Sequence, residues 1–240
     1  MIIKMKIKHI NIMSLIISIF LIIILCGFQG DNNEVKVQGI PIEKKNQAYD
    51  LSLNIPKIIG LKNKKFENEI NNMLLQQGLD FQKQVEKEGE ENAAEAKKAG
   101  QNIEAFIGKE DFKVQYNGKD LLSIPINFYY FSGGAHGIAK ITTINIDKEK
   151  GKVIGLKDLF KEEYDYKSSI NKKIQEEINK NSDQYFPDAF KGINENSEFF
   201  LTEDGIVIYY QLYELAPYAE GFPQFKIPYS LLKQGLKYEI

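Results

Sequence analysis

The sequence predicts an α+β protein in which two main amphipathic helices pack on a mostly antiparallel sheet. Two observations lead to this prediction. Short apolar stretches that alternate with polar residues and end at turn residues recur through the chain, as expected for half-buried strands. Two stretches rich in lysine and glutamate instead repeat apolar residues every three or four positions, as amphipathic helices do. The order of strands, long helix, strands, helix and strands is typical of an α+β fold.

The first predicted strand and helix open the folded part of the chain. Residues 49–55 alternate apolar and polar side chains, which predicts a strand, and Pro56 is predicted to end it. A helix is then predicted by one apolar stripe, which consists of Phe66, Ile70, Met73, Leu74, Phe81 and Val85. We expect the charged, alanine-rich residues 86–101 to extend this helix as a solvated arm, with Gly89 and Gly100 as weak points. The alternative is that this arm binds a partner.

The middle of the chain is predicted to be an antiparallel meander. Residues 112–116 alternate, Asn117-Gly118 supplies a hairpin turn, and residues 121–131 resume as a largely apolar strand. A compact turn over residues 132–137 then leads into a further strand over residues 138–146.

The last third of the chain repeats the alternation of helix and strands. A second amphipathic helix is predicted by apolar residues spaced four apart, namely Tyr166, Ile170, Ile174 and Ile178. Residues 179–182 are predicted to close it. Strands over residues 198–201 and 206–212 flank a glycine-containing hairpin loop at residues 203–205. The second of these strands is apolar on both faces, which predicts a central position in a sheet.

The amino-terminal residues form an export signal. Lysines at positions 4, 6 and 8 precede an almost wholly apolar run over residues 13–28. Cys26 lies at the end of this run, where a bacterial lipoprotein carries its lipidated cysteine, although Leu25 stands where such sites usually have a small residue. Residues 1–28 are therefore a signal or lipoprotein segment or a membrane anchor, and residues 29–45 are a polar tether. A lipid anchor, an uncleaved anchor and full secretion all place the rest of the chain on the extracytoplasmic side.

Composition narrows the kind of partner. All the basic residues are lysines, so the chain lacks the guanidinium fork that usually reads phosphate or guanine, and no nucleic-acid partner is expected. Without residues 1–28 the chain has 33 acidic residues and 28 lysines, a formal charge of −5 that favours a cationic partner. Since Cys26 is the only cysteine, no internal disulfide is predicted.

Three motifs occur in a fixed order along the folded part. They are GGAH at residues 133–136, GKVIGLKDLF at residues 151–160 and YELAPYAEG at residues 213–221. Together they resemble the extracytoplasmic domains shared by the anti-sigma-V factor, a membrane sensor of lysozyme, and by the non-catalytic part of a peptidoglycan deacetylase. The resemblance covers the chain beyond the tether and implies two α+β subdomains, which we place at residues 46–135 and 136–240. It implies binding of lysozyme, of another wall-directed protein, or of cell-wall glycan.

The same resemblance indicates what we do not expect to find. Too few residues precede the apolar run for a cytoplasmic sigma-binding segment, and His136 is the only histidine after that run, so the deacetylase's metal-binding histidines have no counterpart. A nucleophilic mechanism would need a serine or cysteine held by His136, and nearby Ser132 has no nucleophile-elbow motif around it. A zinc site would need several suitably spaced ligands. No catalytic residue, metal or cofactor is therefore predicted.

The candidate binding residues are His136, Tyr213, Glu214, Tyr218, Glu220 and Phe222. Aromatic side chains beside carboxylates suit protein-binding hot spots, and aromatic faces also stack on sugars. The alternative is that the rings only cover the sheet and that the imidazole of His136 bonds a backbone carbonyl across its turn. The leading hypothesis is a membrane-anchored binding protein that captures lysozyme or another basic extracellular protein. A peptidoglycan-binding module is the second hypothesis, and a cell-wall hydrolase or deacetylase that depends on His136 is the third.

Overall fold

A computed structural model describes residues 34–240 of the chain. The predicted export segment, Cys26 included, lies outside the described residues. Within residues 34–240 no helix is long and apolar enough to cross a membrane. The strands are β1 (Lys36–Lys45), β2 (Tyr49–Ile59), β3 (Phe106–Phe112), β4 (Tyr116–Asn117), β5 (Leu121–Phe131), β6 (Ile138–Asp147), β7 (Lys152–Val153), β8 (Phe199–Thr202), β9 (Gly205–Tyr209) and β10 (Gln224–Pro228). The helices are α1 (Lys64–Ala99), α2 (Tyr166–Lys180) and the short α3 (Tyr229–Leu232).

The strands form a large sheet and a small one. The large sheet has seven strands in the order β1-β2-β3-β5-β6-β7, with β4 also paired to β5. β2 and β3 are parallel, and α1 is the crossover between them, whereas the other pairs are antiparallel. β8, β9 and β10 form a three-stranded antiparallel sheet with β9 in the centre. These features confirm the predicted α+β class and the mostly antiparallel sheet.

The prediction that residues 29–45 form a tether is wrong for the residues that the structure describes, because most of residues 34–45 belong to strand β1. β1 pairs with β2 over its whole length, from Lys36 opposite Ile59 to Lys45 opposite Asp50. It is an edge strand, and most of its side chains are half-buried or exposed, so it shows little apolar alternation. Lysine and proline are common on edge strands, where they discourage pairing with another chain. The polar composition therefore reflects an edge position rather than a linker.

Two strand boundaries also differ from the prediction. The strand predicted to end at Pro56 continues to Ile59, because β3 pairs with β2 only as far as Leu53 and Pro56 has one neighbouring strand there. The strand predicted over residues 112–116 is not one strand: β3 covers residues 106–112 and so ends at Phe112, residues 113–115 are irregular, and Tyr116 begins the short strand β4. The predicted hairpin after residue 116 is confirmed by the pairing of β4 with β5.

Helix α1 covers one face of the large sheet. The side chain of Asn63 accepts a hydrogen bond from the backbone N of Phe66 at 3.1 Å, and Gly100 ends the helix with a φ of 70°. Its apolar stripe packs on β2 and β5, and the buried members of this layer include Leu53, Ile55, Ile58, Ile70, Leu74, Val85, Leu122, Ile124 and Ile126. The predicted arm is helical, but one side of it contacts the sheet. A Cβ on Gly89 would lie 2.7 Å from the carbonyl oxygen of Ala48, so Gly89 marks a close contact.

The small sheet and α2 lie on the opposite face of the large sheet. Side chains of β5 and β6 alternate between the two faces, and those turned away from α1, such as Ser123 and Asn145, hydrogen-bond to β8. α2 packs on the small sheet through Ile170 and Ile174, which confirms the second amphipathic helix. The predicted subdomain boundary between residues 135 and 136 falls in the turn between β5 and β6. Because these two strands pair over ten residues, the large sheet continues across it.

Candidate functional site

Three of the predicted binding residues form one aromatic group at the surface, in which His136 and Tyr213 are exposed and Tyr218 is half-buried. The rings of His136 and Tyr218 stack with their centroids 4.0 Å apart and an interplanar angle of 22°. Tyr213 lies on the other side of Tyr218, with a centroid distance of 5.8 Å. We call these three residues the aromatic stack. It joins the β5–β6 turn to the loop between β9 and β10, two segments about 80 positions apart in the sequence.

Hydrogen bonds hold the stack to the backbone of Gly137. The hydroxyl of Tyr218 donates to the carbonyl oxygen of Gly137 at 3.0 Å. Nδ1 of His136 lies 3.0 Å from the same oxygen, so the imidazole bonds a backbone carbonyl, as the structural interpretation of this residue predicts. Gly133 and Gly134 have φ of 93° and 92°, values that L side chains rarely adopt, and so they permit the turn that presents His136. The ring of His136 nonetheless remains exposed and available to a ligand.

Tyr213 combines an unusual backbone with an exposed side chain. Its φ is 67°, in the left-handed region that bulky residues avoid. Its side chain is 53% exposed, so little burial compensates for this conformation. Residues held in such conformations are concentrated at binding and catalytic sites, where the surrounding structure imposes them. The role of Tyr213 in binding stays a prediction, which this geometry supports.

Glu214 has a structural contact within its own loop. Its carboxylate accepts a hydrogen bond from the backbone N of Gln211 at 2.7 Å. The side-chain amide of Gln211 in turn accepts from the backbone N of Ile141 at 3.1 Å and donates to the carbonyl oxygen of Ile141 at 2.7 Å. Gln211 thus takes the place of a neighbouring strand on the outer edge of β6 and fixes the loop that carries the stack. The sequence gives no signal for this role, because Gln211 is a single polar residue just after the apolar strand β9.

The remaining aromatic candidates belong to the protein interior or its border. Phe222 packs against the buried cluster of Ile141, Phe200, Val207 and Tyr209. The hydroxyl of Tyr209 lies 3.0 Å from Oγ1 of Thr143, and burial raises the pKa of this phenol, which keeps it neutral. The interpretation that rings cover the sheet therefore describes Phe222 better than it describes the stack.

Acidic side chains lie beside the stack. Glu220 is exposed at the end of the turn that carries Tyr218. Glu104 approaches from the loop after α1, with a carboxylate oxygen 3.3 Å from the position that a Cβ on Gly133 would take. With Glu214, three acidic residues therefore stand on the turn and loops that carry or adjoin the stack. Within residues 34–240 no three histidine, cysteine or acidic side chains are arranged to hold a metal ion.

Two family models match successive parts of this chain, and each match contains part of the stack. A model described as deacetylase PdaC matches residues 42–139, and the DUF3298 model, a protein family of unknown function, matches residues 157–230. His136 comes from the first match, whereas Tyr213 and Tyr218 come from the second. The stack therefore forms where the two matched regions meet, a common place for a binding site.

Two proteins of Bacillus subtilis are similar to most of the chain. Peptidoglycan-N-acetylmuramic acid deacetylase PdaC is 28% identical over 213 residues, which are 86% of this chain and 43% of the deacetylase. The chain therefore spans less than half the length of that relative. Anti-sigma-V factor RsiV is 27% identical over 207 residues, which are 82% of this chain and 69% of the anti-sigma factor.

Solved structures show the same fold at lower identity. A DUF3298 family member from Bacteroides fragilis superimposes with a TM-score of 0.66 at 22% identity, covering 85% of this chain and 94% of that one. A DUF3298 family protein from Pseudomonas aeruginosa gives a TM-score of 0.54 at 18% identity, with the same coverage. The chain thus carries a PdaC domain followed by a DUF3298 domain, and it is homologous to the deacetylase PdaC and the anti-sigma-V factor RsiV.

Proposed function

We propose that this protein is an exported, membrane-anchored and non-catalytic binding protein that captures a basic protein such as lysozyme. The observation that carries the proposal is the aromatic stack, an exposed group of rings that the PdaC and DUF3298 domains build together. Rings that are fixed before binding lose little conformational freedom in a complex, so they are efficient anchors.

The charge around the stack supports a cationic partner. Glu214 and Glu220 stand in the same loop as Tyr213 and Tyr218, Glu104 lies beside the turn that carries His136, and the chain beyond residue 28 has a formal charge of −5. Complementary charge of this kind accelerates association and disfavours acidic partners. Similarity to an anti-sigma-V factor, and the resemblance of the motifs to a membrane sensor of lysozyme, make lysozyme the first partner to test.

The surroundings of His136 support binding rather than catalysis. Nδ1 of His136 is directed to the carbonyl oxygen of Gly137, and one face of its ring stacks on Tyr218 while the residue stays exposed. A general base in a nucleophilic mechanism instead needs a nucleophile on one ring nitrogen and usually an acidic partner on the other. If the protein were a hydrolase or deacetylase, His136→Ala would abolish turnover of peptidoglycan. We expect no turnover in the parent protein.

Calorimetric titration with hen lysozyme tests the proposal. The fragment should begin at Glu34, because β1 belongs to the large sheet. We expect saturable binding that weakens from low to high salt, since exposed charges are screened. Tyr213→Ala and His136→Ala should each lower the affinity about tenfold or more, as hot-spot residues do. Glu69→Gln, an exposed acid on α1, is the matched control and should have little effect. Flat heats at low salt would refute lysozyme capture.

Membrane anchoring is tested separately on the full chain. Cys26→Ala should release the protein from the membrane fraction if Cys26 is lipidated, because the lipid on this cysteine is then what attaches the protein to the membrane. Retention of the variant in the membrane would instead identify residues 13–28 as an uncleaved anchor.

A further inference from the structure

A groove separates α1 from the hairpin of β5 and β6, on the face of the large sheet opposite the small sheet. Its volume is about 430 Å³, within the range of small-molecule sites. The helix contributes Gln77, Phe81 and Gln84, which are spaced four and three residues apart and therefore share one face of α1. The sheet contributes Phe128 and Tyr130 among others. The groove therefore has aromatic walls and amides on one side.

The aromatic walls are fixed by contacts with one another and with residues outside the groove. Phe81 and Phe128 meet edge to face, with centroids 5.3 Å apart and an interplanar angle of 82°. Tyr130 meets Phe106 in the same manner at 6.0 Å, and its hydroxyl donates a hydrogen bond to the carboxylate of Glu88. Because each ring has a partner that holds its orientation, the groove does not need to reorganise to receive a ligand.

The polar groups of the groove can hydrogen-bond a ligand. Gln77 and Gln84 each offer an amide that both donates and accepts. The hydroxyl oxygen of Thr142, another lining residue, is buried and has no hydrogen-bond partner among the residues that the structure describes. Because this oxygen is closed off from the surface, a ligand in the groove meets the two glutamine amides rather than this hydroxyl.

We propose that this groove binds a pyranose sugar ring of a glycan. A pyranose has an apolar face of C–H groups, which packs on aromatic rings, and a rim of hydroxyls, which bonds amides and hydroxyls. A purely apolar ligand would leave the amides of Gln77 and Gln84 without partners. A strongly charged ligand is disfavoured, because the lining contains one acid, Asp80, and one base, Lys140, of opposite charge.

This site is separate from the aromatic stack. The stack lies on the turn between β5 and β6, whereas the groove uses the side chains of those strands that face α1. Sugar binding here does not depend on capture of a basic protein, so either proposal can fail alone. The two kinds of binding also differ in salt dependence. Salt screens the attraction between charged proteins, whereas a neutral sugar makes no such attraction.

Amide NMR spectra of the fragment that begins at Glu34 test the proposal, with chitotetraose and cellotetraose as probes. We expect saturable shifts at residues of α1 and of β5 and β6 that line the groove, with weak affinity of about 0.1 to 1 mM, as suits a small polar ligand. Gln77→Ala and Gln84→Ala should each weaken binding about five- to twentyfold through loss of a hydrogen bond. Asn72→Ala, an exposed amide elsewhere on α1, is the matched control.

The outcomes separate the possibilities clearly. Binding of either sugar that Gln84→Ala weakens, Asn72→Ala leaves intact and added salt does not change supports the groove as a sugar site. Loss of binding in His136→Ala would show that the sugar instead uses the stack, which overturns the proposal. Absence of any shift with about 10 mM of either probe would overturn it as well, because a functional site should be largely occupied at that concentration.

Discussion

The carboxyl group of Glu110 is buried among apolar side chains. It lies on β3 between Leu53 of β2 and Phe128 of β5, and it is 3% exposed. Its Oε2 would be 2.8 Å from a Cβ on Gly78, so α1 covers it, and this oxygen has no hydrogen-bond partner among residues 34–240. Burial raises the pKa of Glu110 from 4.5 to about 7, since the ionised form is poorly solvated there.

This burial makes stability depend on pH in a defined direction. Below pH 4.5 the carboxyl of Glu110 is protonated in both the folded and the unfolded chain. As the pH rises towards 7 the unfolded chain releases the proton first, so the folded state loses stability, by at most about 3 kcal/mol. Glu110→Gln keeps the shape without the charge, and its free energy of unfolding should not show this loss.

Urea unfolding of both proteins between pH 4.5 and pH 8 measures the effect. The difference between the two curves should grow with pH in favour of Glu110→Gln, and it should level off above pH 7. Glu69→Gln, at an exposed position, is the control and should follow the parent. Parallel curves for the parent and Glu110→Gln would mean that the pKa of Glu110 is not raised by folding.

Tyr213 allows stability and binding to be separated. Asparagine tolerates the left-handed backbone better than tyrosine, and the exposed ring makes few contacts, so Tyr213→Asn should be as stable as the parent or more stable by up to about 1 kcal/mol. The same change should weaken lysozyme binding if the stack is the anchor. Thermal unfolding and calorimetry on the same sample decide this. A destabilised variant would show that Tyr213 supports the loop rather than a partner.

At the level of whole elements, Gly89 tests how closely α1 packs. Alanine is a better helix former than glycine by about 1 kcal/mol, so replacing an exposed helical glycine with alanine normally stabilises a protein. Here a Cβ would lie 2.7 Å from the backbone oxygen of Ala48, which cannot move without shifting the start of β2. We therefore expect Gly89→Ala to lower the free energy of unfolding by about 1 to 3 kcal/mol, because overpacking outweighs propensity.

Chemical denaturation followed by circular dichroism measures this change. Asn72→Ala, on the exposed side of α1, serves as the comparison and should be neutral or slightly stabilising. If Gly89→Ala were instead as stable as Asn72→Ala, residues 86–101 would behave as the solvated arm that their composition predicts.

The elements that the sequence predicts well are those with one buried and one exposed face. α1, α2, the β5–β6 hairpin and the β8–β9 hairpin follow directly from the period of their apolar residues. β1 escapes prediction because it is an edge strand with few buried side chains. The first half of β3 escapes because Gly108 and Glu110 interrupt its pattern. A Cβ on Gly108 would lie 2.7 Å from Leu51 and 2.8 Å from Val85, so close packing by α1 excludes a larger residue there.

Prediction of the candidate site is limited by contacts between distant segments. The motifs at residues 133–136 and 213–221 contain the residues of the aromatic stack, so its members can be named from the sequence. Their meeting depends on how the small sheet docks on β6, which no local pattern encodes. The sequence analysis does not predict β10. Phe225 and Ile227 alternate with polar residues as in a strand, but they directly follow the aromatic residues of the preceding loop, so the short pattern does not stand out. The division of the rings into an exposed stack and the packed Phe222 therefore requires the tertiary structure.

For the molecule as a whole, a buried polar network joins the two domains. Oγ of Ser123 donates to Oδ1 of Asn145 at 2.6 Å and accepts from the backbone N of Leu201 at 2.9 Å. Nδ2 of Asn145 donates to the carbonyl oxygen of Phe199 at 2.9 Å. Ser123 lies in the region that the PdaC model matches, Asn145 follows that region on β6, and Phe199 and Leu201 of β8 lie in the region that the DUF3298 model matches. A satisfied network of this kind aligns the two layers and favours a single cooperative structure.

We therefore expect the fragment from Glu34 to unfold in one transition, although two family models match it. Asn145→Ala should keep one transition but lower the free energy of unfolding by about 2 to 4 kcal/mol, because it leaves the buried carbonyl of Phe199 without its donor and the hydroxyl of Ser123 without its acceptor. Calorimetric and spectroscopic unfolding curves should coincide for both proteins.

The position of the stack makes the same variant informative about binding. His136 lies in the turn between β5 and β6, on one side of the network, and Tyr218 lies in the loop that follows β9, on the other side. Weakening the contact between β8 and the large sheet should therefore change the distance between the two rings. Lysozyme affinity should then fall in Asn145→Ala even though no ring is altered. Asn179→Ala, an exposed amide on α2, is the control for both measurements. Two separate transitions in the parent protein, or unchanged affinity in a destabilised Asn145→Ala, would show that the domains hold the stack independently of this network.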